Sequence, residues 1–532
     1  MPAILGAYPT ITLVGPSGDT TGVKDPAAII RAQAASKTIS FLPGTYWFGS
    51  AVPLPSNVRY QGAGRGITIL KATSGLGGAI FSQTVPSGQS ITGVGWRDLT
   101  IDGNTGPTGS NIGIAIDTSA LNTTAYYDVI AEDVDFQNCY IGWQHAANNQ
   151  NGGPLGNETL CLNCRFYNCN TGAAIGGTYA STFSECLFSA CTNLAVGVTG
   201  YATTPTLSAA SGPTTNLAIR GCHVEGLGNL TAASGATDSG FAAGSTQYAI
   251  TDCMMSNISR YPIMGYDNEG LGSVISGIRC WGSGGPVVTL DNGGNGGGFT
   301  TVTGISCSEV SQNTHLTTAF GQQGVISVNG GNASIRNVVV APASGYGTAP
   351  PYALNLGADG NNTVGIVDVE GFHCTSPGTS WLTTQGTQSA MTLSITNSSG
   401  YNTIGPAAPS LQATTGASGY TLVNGTGDVI TWTAPNDGNL HRFIVYIRLI
   451  VQTNLTGGQI FIQNANASLA NAVNGSGTFA YNANTGAGDY ILLRSNVSDE
   501  KGILGPGETI KITQSTAVTV GAAVLYAEIW GS

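Results

Sequence analysis

The sequence predicts an all-β protein in which an elongated parallel β-helix is followed by a separate β-sandwich. The chain of 532 residues is far longer than one compact core needs. Only 8% of its residues are charged, 41% are hydrophobic and 78 are glycine, which is too apolar for disorder and too rich in glycine for a helical bundle. A short strand pattern also recurs along the chain, and a repetitive solenoid explains that recurrence together with the length.

One helix is predicted, close to the N-terminus. In the stretch KDPAAIIRAQAAS, Asp25 is placed as the N-cap and Pro26 as the first helical residue, ahead of an apolar stripe. A solenoid needs a cover because its end exposes unpaired strand edges and apolar rungs. We expect a short N-terminal segment over residues 1–24, a capping helix at 25–36 and a β-helix that extends to residue 405.

Six segments define the coils of this β-helix: RDLTIDG, EDVDFQN, LNCRFYN, SECLFSA, RGCHVEG and TDCMMSN. Their third residues form one column, which consists of Leu99, Val134, Cys164, Cys186, Cys222 and Cys253. Two residues further on, a second column on the same strand face holds Ile101, Phe136, Phe166, Phe188, Val224 and Met255. Both columns are predicted to be buried ladders.

A third column closes each segment with residues that tolerate a left-handed turn: Gly103, Asn138, Asn168, Ala190, Gly226 and Asn257. Intervals of 22 residues from Cys164 to Cys186 and of 27 residues from Cys253 to Cys280 and from Cys280 to Cys307 match one coil with insertions. A further column, one residue before the first ladder, is acidic and is interpreted as a solvated face or a trimer-contact stripe: Asp98, Asp133, Glu185 and Asp252.

The eleven cysteines suit the ladders better than a metal or redox site. Cys161-x-x-Cys164 with Cys169 is the alternative, but residues 161 and 164 face opposite sides of a regular strand, and no second pair supplies further ligands. Neither a metal nor a cofactor is expected.

The pattern changes after the Pro/Ala/Ser-rich stretch IGPAAPSLQATTGASG. Longer alternating strands follow, such as HRFIVYIRLIVQ, GQIFIQ and AAVLYAEIW. Residues 412–532 are predicted to form a jelly-roll-like β-sandwich that serves for trimerisation or glycan binding.

Charge and hydropathy exclude two classes of partner. The net charge is −11 and there are no basic runs, which argues against nucleic acid. No apolar run reaches the roughly 18 residues of a membrane span, and the N-terminus lacks the features of a secretory signal, so no membrane insertion is expected.

Three stretches near the N-terminus carry a family resemblance: GDTTGVKDPAAIIRAQ, ISFLPGTYWFG and VRYQGAGRGITIL. Their order of helix, strand, PGTY turn, strand and GxG turn resembles the start of the pectate-lyase-like right-handed β-helices of bacteriophage tailspike and tail fibre proteins. The resemblance implies a homotrimer located on the virion tail that binds or cuts bacterial surface polysaccharide, either capsule or O-antigen. Tailspikes usually carry a sizeable N-terminal attachment domain, whereas about 18 residues precede the pattern here, so we expect truncation or attachment through an adaptor protein.

Candidate chemistry lies where the segments after the second strand of each coil vary most. Aligning PIMGYDNEG with PVVTLDNGG makes Asp267 and Asp291 vertical neighbours, with Glu269 close by. Carboxylates about 5.5 Å apart serve retaining glycoside hydrolysis, and those about 6.5–9.5 Å apart serve inversion. The three residues are candidates for acid, base or nucleophile with no role assigned among them, while a plain Asp-Asn-Gly turn is the alternative.

Aromatic and imidazole side chains predicted on the same face would suit the binding of sugar rings: Trp143, His145, Tyr179, Tyr201 and Tyr266. A loop packed over the solenoid is the alternative for this group. His145 could also serve as a lyase base or a metal ligand, and a hydrogen-bonded groove residue is the alternative.

The sequence therefore favours a tailspike-like protein that binds and hydrolyses a bacterial surface polysaccharide. A non-enzymatic adhesin on the same fold, a polysaccharide lyase and a purely structural tail component stay open. A lyase is less favoured because a net acidic chain repels an acidic sugar polymer.

Overall fold

The computed structural model describes residues 11–531 except for 86–88, 119–125, 147–155, 177, 199–215, 228–229, 231–238, 245–246, 267–271, 292–297, 313–323, 342–349, 351, 358–363, 375–379, 386–391, 397–398, 401–409, 415–419, 422–426, 434–440, 465–477, 481–487, 495–501 and 505–508. Parallel strands stack coil upon coil along the first three quarters of the chain. Each complete coil adds one rung to three stacks, which the chain visits in a constant order. The predicted parallel β-helix is confirmed.

The first stack contains β1 (Ile11–Val14), β2 (Thr38–Phe41), β4 (Arg59–Gln61), β7 (Ile91–Asp102), β9 (Tyr126–Gln137), β11 (Gly156–Leu162), β14 (Thr178–Ser184), β17 (Leu217–Arg220), β20 (Tyr248–Thr251), β23 (Ser273–Ser276), β26 (Phe299–Ser308), β27 (Ile326–Val340), β29 (Val364–Cys374) and β31 (Thr392–Thr396). Strands β7, β9, β26, β27 and β29 continue through a bend into the second stack.

The second stack adds β3 (Gly44–Phe48), β5 (Thr68–Ala72), β12 (Arg165–Tyr167), β15 (Leu187–Ser189), β18 (His223–Glu225), β21 (Met254–Ile258), β24 (Arg279–Ser283) and β32 (Ser399–Gly400). The third stack contains the start of β27 together with β6 (Ala79–Val85), β8 (Ile112–Thr118), β10 (Ile141–Ala146), β13 (Thr171–Gly176), β16 (Leu194–Val198), β19 (Ser239–Gly244), β22 (Ile263–Tyr266), β25 (Val288–Asp291), β28 (Tyr352–Gly357) and β30 (Ser380–Gln385).

A column of left-handed residues forms the bend between the first and second stacks. Every member has a positive φ between 50° and 68°: Asp98, Asp133, Asn163, Glu185, Gly221, Asp252, Gly277, Gly304, Asn337 and Gly371. Glycine, Asn and Asp dominate because they adopt this conformation at the lowest cost. The acidic column of the sequence prediction therefore has a backbone function at this bend.

The bend also explains why two cysteines three residues apart both point into the solenoid. Cys161 and Cys164 are buried because left-handed Asn163 interrupts the alternation of the strand. The prediction that they face opposite sides is wrong, although all eleven cysteines are buried and free, as the ladder requires. Burial raises the pKa of Cys161, and raises that of Cys280 to about 12, so these thiols stay protonated and unreactive.

The two inward ladders follow the predicted columns over six coils. One correction concerns Cys280, which pairs with Met255 and so belongs to the second column rather than the first. The coil at this point has 25 residues, as the hydrogen bond from Tyr248 to Ser273 shows, whereas the interval between Cys253 and Cys280 is longer. The predicted match of Cys280 with Cys307 is confirmed.

Three phenylalanines form the centre of the second ladder. The ring centroids of Phe136 and Phe166 are 4.8 Å apart and those of Phe166 and Phe188 are 4.7 Å apart, with interplanar angles of 6° in both pairs. Glycines of the third stack pack against the rings: a Cβ on Gly142 would lie 2.8 Å from Phe166, and one on Gly172 would lie 2.8 Å from Phe188. The small residues let the backbone of the third stack approach the ladder closely.

A second left-handed column lies between the second and third stacks. Asn138, Asn168, Ala190 and Asn257 have positive φ as predicted, whereas Gly103 and Gly226 do not. The side-chain amide of Asn168 donates to Asn138 Oδ1 at 2.8 Å, and that of Asn138 donates to Asp102 Oδ1 at 3.1 Å. The bend is therefore an amide ladder as well as a turn.

The single helix of the described residues, α1 (Lys24–Ala35), packs Ile29 and Ala32 into the hydrophobic core at the N-terminal end. Asp25 is not its N-cap. Its carboxylate is buried and accepts hydrogen bonds from the backbone N–H groups of Ser17 and Trp47, each at 2.8 Å. The first helical turn is instead satisfied by Asp19, whose carboxylate accepts from the N–H groups of residues 23 and 24.

The architecture changes to antiparallel pairing near the position where the sequence pattern changes. An eight-stranded sheet forms there from β33 (Ser410–Thr414), β34 (Tyr420–Thr421), β35 (Gly427–Thr433), β36 (His441–Asn464), β37 (Thr478–Ala480), β38 (Gly488–Arg494), β39 (Gly502–Leu504) and β40 (Thr509–Gly531). Strands β36 and β40 are its central pair. The boundaries of the trimerisation or glycan-binding domain stay a prediction.

Candidate functional site

The candidate site lies along one edge of the solenoid, which we call the loop edge. It is the line where each strand of the third stack ends and the next strand of the first stack begins. The segments that join these strands differ in length, so residues bonded between neighbouring coils are 22 apart at Thr159 and Ser181 but 36 apart at Ser189 and Glu225, while the stacks keep their pairing. Variable segments of successive coils are therefore brought into one row along the molecule.

Tyr266 and Asp291 are the last residues of β22 and β25, one coil apart at this edge. Ile263 pairs with Val288 and Gly265 pairs with Leu290, so Asp291 follows beside Tyr266. The predicted alignment of Asp291 with Asp267 is wrong by one residue. It relied on matching two prolines, whereas the N–H of Ile263 donates to the carbonyl of Val287, not to that of Pro286.

Glycines flank this position on both sides. Gly244 pairs with Tyr266 on the preceding coil, and Asp291 pairs with Gly330 on the following coil. Neither adjoining coil therefore places a side chain at this register position. Asp267 and Glu269, the other two candidates for acid, base or nucleophile, lie outside the described residues.

Two of the predicted sugar-binding residues point into the core instead. Trp143 and His145 are buried, and both lie in β10 with their ring centroids 4.5 Å apart. Trp143 makes edge contacts with Trp96 at 5.8 Å and Phe136 at 5.9 Å. Their assignment to a substrate groove is wrong because positions 141, 143 and 145 share the inward face of the strand.

Burial also decides the protonation of His145. In register it lies between Ile116 on the preceding coil and Ile175 on the following one. Desolvation among these apolar neighbours lowers the pKa of the imidazole to about 3, so the ring is neutral near neutral pH. A buried ring at this depth cannot reach a polysaccharide.

The three predicted tyrosines have different positions. Tyr179 lies at the start of β14 and Tyr266 at the end of β22, so both border the loop edge. Tyr201 lies outside the described residues.

The sequence prediction missed a row of exposed side chains on the second stack. Tyr167, Met254 and Trp281 are 55%, 50% and 47% exposed. Arg279 pairs with Met254, and Arg165 and Arg279 lie two residues before Tyr167 and Trp281 on the same strands. Their exposure could have been predicted from the sequence, because side chains alternate along a strand and these residues directly precede or follow the buried ladder residues Phe166, Met255 and Cys280. We call Arg165, Tyr167, Met254, Arg279 and Trp281 the exposed row.

A charged contact ties several coils together beside this row. Arg65 donates from Nη1 to the carbonyl of Asn163 at 3.0 Å, and the same nitrogen lies 3.6 Å from Asp135 Oδ1. Burial raises the pKa of Asp135, and the nearby Arg65 and Arg165 oppose that shift. The contact is structural, because the guanidinium of Arg65 binds residues of two later coils, Asp135 and Asn163.

Two searches of the described part of the chain gave negative results. No group of three or more His, Cys, Asp or Glu side chains there is arranged to hold a metal ion. No helix among those residues is long and apolar enough to cross a membrane.

Part of the chain matches a known protein family. Residues 17–227 match the family model described as Rhamnogalacturonase A/epimerase, pectate lyase-like. No curated protein matches the sequence.

Three solved structures illustrate the range of similar folds. The A-module of the mannuronan C-5 epimerase AlgE6 of Azotobacter vinelandii has a TM-score of 0.43 and 15% identity, covering 71% of this chain and 94% of that chain. The surface adhesin PfbA of Streptococcus pneumoniae has a TM-score of 0.41 and 12% identity, covering 73% and 92%. The tailspike protein of Acinetobacter baumannii phage AM24 has a TM-score of 0.38 and 10% identity, covering 98% and 82%.

The family match and the stacked parallel strands lead to one conclusion. The region 17–227 is similar to a pectate-lyase-like family, and its described strands stack as a parallel β-helix.

Proposed function

We propose that the protein binds a bacterial surface polysaccharide along its loop edge and hydrolyses it, acting as a tailspike-like receptor-binding protein. The observation that carries the proposal is the register of β22 and β25. It brings Tyr266 beside Asp291 at the loop edge, between two coils that have glycine at the same position. The backbones of stacked strands lie about 4.8 Å apart, and an aromatic residue next to an acidic residue at that spacing is suited to one sugar and its glycosidic bond.

Hydrolysis of a glycosidic bond needs two carboxyl groups, one of which stays protonated to donate to the leaving oxygen. We assign one of these roles to Asp291, with Asp267 or Glu269 as the partner. The corrected register removes the argument that Asp267 directly faces Asp291, but Asp267 still follows Tyr266 in the chain. The family matched by residues 17–227 supports a polysaccharide as the substrate class, since its description names a rhamnogalacturonase.

Binding without cleavage is a second candidate function, and the exposed row favours it. Trp281 and Tyr167 offer flat apolar rings to solvent, and Arg279 and Arg165 lie next to them. Such a surface can hold a glycan by ring contacts without any pair of carboxylates. A lyase loses support, because His145, the base considered for it, is buried.

We also propose that the protein is a homotrimer that joins the virion tail directly or through an adaptor protein. The support is the resemblance of the N-terminal stretches to tailspikes. Mass measurement in solution tests the trimer, and a monomer would contradict it.

The test of hydrolysis uses purified capsular and O-antigen polysaccharides, with new reducing ends and unsaturated-uronate absorbance followed together. We expect reducing ends without absorbance, and loss of that activity in Asp291→Asn. Asp252→Asn is the matched control because it changes an exposed carboxylate at a left-handed bend, where Asn is equally suited. Added absorbance would indicate a lyase, and binding without shortening would indicate an adhesin.

A further inference from the structure

We propose that a groove at the N-terminal end of the loop edge binds an uncharged sugar. The groove lies between helix α1, the segment that follows β3, and the end of β6 with the start of β7. Its volume is about 460 Å³, within the range of about 300–1,000 Å³ that is typical of small-molecule sites. The proposal goes beyond hydrolysis at Asp291, which lies seven coils away, or roughly 34 Å at the spacing of stacked strands.

The polar part of the lining consists of amides and hydroxyls. Gln33 comes from helix α1, Gln83 from β6, and Ser56 and Ser90 from the segments on either side, with Gln89 at the rim. Amides and hydroxyls of this kind donate and accept hydrogen bonds, as a sugar hydroxyl does. Gln33 and Ser56 already donate within the protein, so they offer acceptors to a ligand. The lining therefore matches a ligand whose edge consists of hydroxyl groups.

The apolar part of the lining has no aromatic ring. Ile30, Pro53, Pro55 and Val85 supply aliphatic surface, which can contact the C–H face of a sugar ring. A nucleobase or another flat aromatic ligand would find no stacking partner here. We therefore expect weak binding, in the millimolar range, by an aliphatic and hydroxyl-rich ligand.

Charge narrows the ligand class further. None of the lining residues is Asp, Glu, Lys or Arg, so an anionic or cationic ligand would lose hydration without gaining an ion pair. The net charge of −11 for the whole chain adds repulsion against anions. An uncharged sugar avoids both costs.

The polar groups are held in place by bonds within the protein. The amide nitrogen of Gln33 donates to the carbonyl of Pro53 at 2.9 Å and to the hydroxyl of Tyr60 at 2.7 Å. The side-chain oxygen of Gln83 accepts from the N–H of Leu54 at 3.3 Å, and the hydroxyl of Ser56 accepts from the N–H of Thr92 at 3.3 Å. A groove built in this way pays little ordering entropy when a ligand enters.

The test is saturation-transfer NMR on the full chain with glucose, galactose, mannose, rhamnose and N-acetylglucosamine as neutral probes and glucuronic acid as the charged one. Ala34→Trp fills the groove from an exposed helical position, and Ala35→Trp is the matched control, because residue 35 is also exposed but does not line the groove. We expect the transfer to at least one neutral sugar to be equal in the wild type and Ala35→Trp and clearly weaker in Ala34→Trp, because any sugar bound elsewhere on the chain contributes equally to all three. Ser90→Phe, on the opposite wall, should weaken the transfer in the same way.

Three results would overturn the proposal: no transfer to any neutral sugar, equal transfer in wild type and Ala34→Trp, or stronger transfer to glucuronic acid than to every neutral probe. Circular dichroism of both filling variants reports whether the fold is retained. Reducing-end release from polysaccharide is measured in parallel, and we expect Ala34→Trp to leave it in place. Loss of that activity in Asp291→Asn alone would concern the proposed hydrolysis and not the groove.

Discussion

Ala190 is the least suitable residue in the left-handed column between the second and third stacks, so replacing it should stabilise the solenoid. Its φ is 53°, a conformation that costs an L-residue with a Cβ about 1–2 kcal/mol and that Asn adopts more easily. In register it follows Asn168, whose amide nitrogen already donates to Asn138, which leaves the oxygen of Asn168 as an acceptor. The next coil has Gly226 at this position, so there is room for a longer side chain.

Ala190→Asn should therefore raise the free energy of unfolding through two effects. Relief of the backbone strain contributes about 1 kcal/mol, and one added amide hydrogen bond contributes about 0.5–1.5 kcal/mol. Guanidinium unfolding followed by far-UV circular dichroism should show a higher midpoint for the variant. Hydrogen exchange of the amides of the adjoining coils should slow by a comparable free energy.

Two further variants separate the effects. Ala190→Gly removes the strain but adds the entropy cost of glycine, about 0.5–1 kcal/mol, so its stability should stay near that of the wild type. Ala190→Val should be clearly less stable, because a β-branched residue is strongly disfavoured at positive φ. The reasoning is refuted if Ala190→Val is tolerated, or if Ala190→Asn is no more stable than Ala190→Gly.

Three more outcomes test the core and the cap. Phe166→Ala should lower the free energy of unfolding by about 3–5 kcal/mol. Tyr167→Ala, which changes an exposed neighbour, should alter it by no more than about 0.5 kcal/mol. Equal losses of unfolding free energy in the two variants, measured by chemical denaturation, would contradict the ladder. The folded pKa of His145, about 3, lies below its unfolded value of 6.5, so stability should fall as pH drops through this window. His145→Ile, which continues an aliphatic column, should weaken that dependence, and an unchanged difference between midpoints at pH 7 and pH 4 would count against it. Hydrogen bonds from Thr21 and the first helical turn lower the pKa of Asp19 to about 2, from the unfolded value of 3.8. The helix cap is therefore complete above pH 3.8 and is lost as the pH falls towards 2. Hydrogen-exchange protection of the first-turn amides should drop over that interval in the wild type but not in Asp19→Asn.

The inward ladders were predictable because alternation within a strand is a local property. Phe136, Phe166 and Phe188 each stand two residues after a small buried side chain, and parallel stacking brings equal positions into one column. The left-handed turn after them was also readable at Asn138 and Asn168, since Asn favours that conformation.

The bend between the first two stacks could not be predicted in the same way. Asp98, Glu185 and Asp252 occupy it, and in sequence these residues look like ordinary exposed acids. The added left-handed residue changes which positions face inward, and this is why Cys161 and Cys164 are both buried. A prediction based on strict alternation of inward and outward side chains cannot anticipate such a left-handed residue.

Register between neighbouring coils was the second limit. The segments at the loop edge differ in length, so a match of Pro262 with Pro286 fixed an offset that hydrogen bonding places one residue away. Trp143 and His145 show the same limit, because the segment that follows them suggested a surface position while IGWQHA alternates inward at Ile141, Trp143 and His145. Asp19 was missed as the cap because its carboxylate reaches forward across a turn instead of preceding the helix directly.

The unequal coil lengths have a consequence for how this protein can diversify. Lengthening a surface segment twofold costs only about 0.6 kcal/mol in closure entropy, whereas one residue added inside a stack would shift every inward side chain of that coil to the opposite face. Insertions and exchanges are therefore tolerated between strands and rejected inside a stack. The segments after β10 and β16 can therefore change in length and sequence while the stacked rings of Phe136, Phe166 and Phe188 stay in place.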